Sequence, residues 1–170
     1  MRKPYLSNAY GFSLIEVIAV LAILVIVSAI ILSRYDMSST NLVAQTEIFK
    51  NHLRTAQSMA MAGSSFTSTY GIRWDDTYYW TFQGNDPNAN IIRLFDDEQY
   101  IETNNKLRLT AKNISISGSI HTLFFDSRGI PYSSYPDTQL ASDLSIYLTP
   151  HGASSPVKTV TITQHTGFIP

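Results

Sequence analysis

The run from Phe12 to Leu32 constrains this chain more than any other feature: it holds twenty-one residues, of which only Ser13, Glu16 and Ser28 are polar. As an α-helix such a run rises about 1.5 Å per residue, roughly 31 Å in all, enough to cross a hydrocarbon layer of about 30 Å. The simplest expectation is a single-pass anchor. A cleavable secretory signal has a shorter apolar core ahead of a small-x-small site. Val27-Ser28-Ala29 imitates such a site, but Ile30, Ile31 and Leu32 carry the apolar run past it. Charge counting does not orient the segment, since Arg2 and Lys3 precede it while Arg34, Lys50 and Arg54 follow.

Glu16 is the anomaly in that run. An ionised side chain in a membrane helix costs on the order of 2.5–3.5 kcal/mol at mid-depth and less toward an interface. One reading is an interfacial acid that snorkels out of an ordinary anchor. The other supplies a partner: a cut between Gly11 and Phe12 would place a new amino terminus one helical turn from Glu16, or close to the Glu16 of a neighbour.

Gly11-Phe12-Ser13-Leu14-Ile15-Glu16-Val17, after a short basic leader and before an apolar run, resembles the processing site of type IV prepilins and type II secretion pseudopilins. The likeness covers about the first thirty residues. It implies that a prepilin peptidase cuts after Gly11 and methylates Phe12, and that Glu16 docks the subunit into a filament through a neighbour's terminal amine. It further implies a leader inside, a C-terminal domain in the periplasm of a bacterial inner membrane, and later residence in a pilus or pseudopilus. The implied partners are the peptidase, other pilin or pseudopilin subunits, the inner-membrane assembly platform and the inner membrane itself. Loss of Arg2 and Lys3 with the leader leaves ten basic residues against thirteen acidic, a net charge of −3.

Beyond the apolar run, Leu42, Phe49, Leu53, Ala56 and Ala60 recur at helical spacing, with Glu47, Lys50, Asn51 and Arg54 largely on other faces. Gly63 offers a stop. If this amphipathic stretch continues the first helix, residues 12–62 form a rod of about 75 Å; the Ser38-Ser39-Thr40-Asn41 junction could instead kink it. After Gly63 the period changes. Short β-rich stretches follow, among them Tyr70–Trp74, Tyr78–Phe82, Ile91–Phe95, Lys106–Leu109, Ile114–Ser117, Leu123–Phe125, Leu144–Leu148 and Val157–Ile162. Turn chemistry separates them, as in Gly84-Asn85-Asp86-Pro87-Asn88 and Arg128-Gly129-Ile130-Pro131. The expected class is α+β, a long N-terminal helix packed on an antiparallel sheet. The expected division is a leader over 1–11, an assembly helix over 12–33, its amphipathic continuation over 34–63 and a β-rich head over 64–170.

Three further pieces, Ala56–Gly63, Phe124–Pro131 and Val160–Ile169, are similar to the GspH/FimT-type minor pseudopilins and pilins, in which a strand, an aspartate-x-x-glycine turn and a final strand ending near threonine-glycine recur in this order. Many such relatives have arginines after that last glycine, where this chain has Phe168-Ile169-Pro170. That departure, with a formal charge of −1, speaks against DNA as a partner.

No pattern for an enzyme stands out: nucleophile elbow, P-loop, dinucleotide fingerprint and zinc-protease helix are all missing. The chain has no cysteine, and His52, His121, His151 and His165 are not at metal-ligand spacing. No cofactor or metal is expected. Asp96-Asp97-Glu98, the densest acidic run, reads as a solvated turn, being far short of a calcium ligand set. Tyr78-Tyr79-Trp80 could stack on a base or sugar, but alternation along a strand favours core packing. The functional expectation is a structural filament subunit. The alternative is a filament-surface module that recognises DNA, a secreted substrate or a surface through the loop from Trp80 to Asn90.

Overall fold

The computed structural model describes residues 13–34, 37–63, 69–96, 101–102 and 104–170, and among them the side chains from 13 to 29 and from 39 onward. The chain divides into two compact units, Met1–Asp36 and Met37–Pro170. The junction at 35–36, on which the single-rod expectation depends, lies outside the described residues.

In the first unit, helix α1 spans Leu14–Arg34. Every described side chain on it is exposed, including Leu14, Ile15, Leu21, Ile23, Leu24 and Val25. A helix that is apolar all round needs cover from a core, a membrane or other helices. Among the described residues no helix is long and apolar enough to cross a membrane.

The second unit is built on helix α2, Met37–Ala62. Its expected stripe is real: Leu42, Phe49, Leu53, Ala56 and Ala60 are fully buried. Burial of the three large side chains contributes roughly 5–9 kcal/mol at the usual value per residue. Ten strands follow it among the described residues: β1 (Tyr70–Trp74), β2 (Tyr78–Gln83), β3 (Ile91–Ile92), β4 (Leu107–Arg108), β5 (Ile114–Gly118), β6 (Thr122–Phe125), β7 (Pro131–Ser134), β8 (Thr138–Gln139), β9 (Leu144–Pro150) and β10 (Lys158–Ile162), and α2 packs chiefly on β1, β6, β9 and β10.

The strands form two sheets. One runs β3-β2-β1-β6-β7-β8 with β4 also on β2, and the other runs β10-β9-β5. All pairings are antiparallel. A single core joins α2 to both, through Ile72, Trp74, Tyr79, Leu123 and Phe125 of the larger sheet and Ile116, Ile146, Leu148, Val160 and Ile162 of the smaller. Phe49 meets Trp74 and Tyr79 edge-on at 6.4 and 5.4 Å.

The opposite face of the larger sheet carries a second, aromatic cluster of Trp80, Phe82 and Phe124. Gly71 is the register partner of both Phe82 and Phe124, and a Cβ there would lie 2.5 Å from the Phe82 ring. The glycine lets the two rings meet over the strand, at 5.2 Å and nearly perpendicular. Tyr79 and Trp80 are therefore both core residues, on opposite faces. Core packing, the expectation for Tyr78-Tyr79-Trp80, holds for Trp80: the residue is 2% exposed, its Nε1 donates to the Pro87 carbonyl at 2.6 Å, and the Lys106 ammonium lies 3.7 Å over its ring.

Two sequence expectations shrink. Only Ile91–Ile92 of the stretch to Phe95 is strand, and only Leu107–Arg108 of the stretch from Lys106 to Leu109. Asp96 is not in a solvated turn. Its carboxylate is buried against the Lys112 ammonium at 2.5 Å, and Lys112 also donates to Gln45 of α2 at 3.0 Å. Asp97 and Glu98 lie outside the described residues. The sequence could not show this pair, because its partners are sixteen residues apart with no shared period.

Candidate assembly and processing site

Gly11 and Phe12, the expected processing pair, lie outside the described residues. Glu16 lies in the first turn of α1 and is exposed. Its backbone N–H donates to the Ser13 hydroxyl at 3.3 Å and to the Ser13 carbonyl at 3.0 Å. Ser13-Leu14-Ile15-Glu16 therefore has the Ser-x-x-Glu order of a helix capping box, with Ser13 at the cap and Glu16 three residues in. The helix N-terminus carries partial positive charge, so a carboxylate in the first turn is favoured there. This is a second reason for an acid at this position, and the four-residue pattern made it readable in the sequence. Glu16 stands at the start of an otherwise apolar and uncovered helical surface, so it is the one ionisable group in α1 before Arg34 that a neighbouring cation could meet.

A separate set of contacts secures the end of the chain to α2. The Gln57 side-chain amide donates to the carbonyls of Gly129 at 2.9 Å and of Thr166 and Gly167 at 3.1 Å each. Arg54 donates twice to the Ile169 carbonyl, from Nε at 3.2 Å and Nη2 at 3.0 Å, and Ile169 is buried. Gly167 has φ +62, and a Cβ on it would lie 2.5 Å from the Gly129 carbonyl oxygen. The three separated sequence pieces, on α2, in the aspartate-x-x-glycine turn and at the terminal threonine-glycine, thus meet at one side chain. Sequence reading placed each piece and missed that Gln57 joins them, since a lone glutamine on a helix carries no periodic signal.

The prokaryotic N-terminal methylation motif matches residues 6–32, a span that includes Gly11, Phe12 and Glu16. No curated protein matches the chain. Among solved structures, the fold is similar to that of the type IV minor pilin FimU of Pseudomonas aeruginosa strain PAO1, with a TM-score of 0.52 and 15% identity over 78% of this chain and 88% of that one. The fold is type IV pilin-like. The motif takes in most of α1 and the residues before it, while α2, the two sheets and the C-terminal contacts to Arg54 and Gln57 belong to the unit from Met37 onward.

Proposed function

We propose that the chain is a structural subunit, a minor pilin or pseudopilin, of a type IV pilus or type II secretion pseudopilus. It is made with a leader over 1–11, cut between Gly11 and Phe12 by a prepilin peptidase, methylated on Phe12 and polymerised by helix packing. Before assembly α1 resides in the inner membrane with the head in the periplasm; afterwards other subunits cover it. The observation that carries this reading is the methylation motif on a helix whose described side chains are all exposed and nearly all apolar. Cleavage at this point leaves Ser13 in place, so the cap on Glu16 survives processing, and the new amine is four residues from the acid in sequence.

Two variants separate processing from docking. Gly11→Val should leave a larger, unprocessed protein, because the branched side chain replaces the residue next to the scissile bond. Glu16→Ala should be processed but incorporated poorly into sheared filaments or co-purified subunit complexes. Normal incorporation of the Glu16 variant would remove the docking role.

A further inference from the structure

The outer face of the larger sheet holds a pocket of about 330 Å³, lined by Asp126, Ser127, Arg128, Tyr132, Tyr135 and Pro136. Its floor is preorganised. Asp126 Oδ1 accepts the backbone N–H groups of Arg128 and Ile130 at 2.9 Å each, which fixes the carboxylate. Its Oδ2 accepts from Arg128 Nε at 3.2 Å and Nη2 at 3.1 Å. The acid is nearly buried while the guanidinium is 69% exposed. Tyr132 and Tyr135 form the wall, edge-to-face at 5.2 Å, and both pack on the Trp80–Phe82–Phe124 cluster.

The chemistry of this recess selects its ligand class. Asp126 and Arg128 neutralise one another, so the recess offers no net charge to an ion of either sign. A wholly apolar molecule would strip water from the exposed guanidinium without replacing its hydrogen bonds. A neutral ring with one C–H face and a rim of hydroxyls satisfies both parts: the face lies on a tyrosine, while hydroxyls accept from the guanidinium in charge-assisted bonds. We propose that this pocket binds a neutral hexose unit of a glycan, with Tyr132 and Tyr135 as the stacking wall and Arg128, held in place by Asp126, donating to the hydroxyls. The volume is near the lower end of small-ligand pockets and suits a terminal sugar.

Saturation-transfer-difference NMR on the full chain in lipid nanodiscs tests this. The neutral probes are the methyl glycosides of glucose, galactose and mannose, and N-acetylneuraminic acid is the anionic control. At least one neutral glycoside should receive saturation at its ring C–H protons, the acid should not, and the signal should fall to background in Tyr135→Ala and Arg128→Ala. Ser127→Trp, which puts a bulky ring on a lining residue outside the aromatic cluster, should abolish the signal while thermal unfolding stays as in the unaltered chain. The proposal is overturned by absence of transfer to every neutral glycoside, by a stronger signal from the acid, or by transfer that persists in Ser127→Trp.

Discussion

At the scale of single residues, side chains that carry no periodic signal hold the head together. Gln57 serves three carbonyls from separate parts of the chain, so Gln57→Ala should cost about 1–3 kcal/mol through groups left without a donor. Gly167→Ala should cost more, since it adds a strained left-handed backbone to a Cβ clash with the Gly129 carbonyl. Thermal unfolding of the full chain in detergent checks the order; a Gly167→Ala variant as stable as the unaltered chain would contradict the clasp. Lys112→Met strands the buried Asp96 carboxylate and should cost about 3–5 kcal/mol, the usual loss when one partner of a buried pair is removed. Adding Asp96→Leu should recover much of it, and failure to recover would mean that the pair is not the source of the loss. These residues were not legible in the sequence, because hydrogen bonds and ion pairs between distant positions leave no spacing to read. The Ser13–Glu16 cap is local and left a four-residue signal, which the sequence reading passed over.

At the scale of elements, periodicity was a good guide where burial was one-sided. The stripe on α2 was visible because every third or fourth residue faces the core, and the main strands because side chains alternate. Strands β3 and β4 fall inside stretches read as β-rich but keep two residues each, and Phe95 ends almost fully exposed; β7 and β8 were not read, since such short pieces establish no period. The division into two sheets was hidden too, because alternation marks a strand but not its partner. One contact between elements gives a pH prediction. His52 of α2 lies between the Tyr79 hydroxyl at 3.1 Å and the Phe95 carbonyl at 3.3 Å. The carbonyl only accepts, so Nε2 carries the proton and Nδ1 accepts from Tyr79. Burial lowers the His52 pKa below its ordinary 6.5, despite opposing contributions from the Phe95 carbonyl and Asp96, while Lys112 adds to the lowering. The unfolded chain therefore takes up this proton first as pH falls. The contribution is whole above the unfolded value of 6.5 and is lost progressively below it, toward the folded pKa. Tm should fall between pH 7 and pH 5, and the fall should be shallower in His52→Gln. An equal slope in both proteins would assign the effect to other groups.

At the scale of the whole molecule, the chain combines a unit with its own core and an apolar helix whose described side chains are all exposed. The α+β class and the pilin-like order of elements were both legible, the first from the change of period after Gly63 and the second from the Gly-Phe-x-x-x-Glu pattern with its apolar run. The system that such a filament would serve leaves no mark on these residues. The central claim concerns the first cut, because the proposed docking through Glu16 needs an amine that the uncut chain does not have at Phe12. The measurement that tests it most directly is the intact mass and N-terminal sequence of the protein from membranes of a cell that holds its cognate peptidase. The account predicts a chain that starts at N-methylated Phe12; a chain that still starts at Met1 in the presence of active peptidase would contradict it.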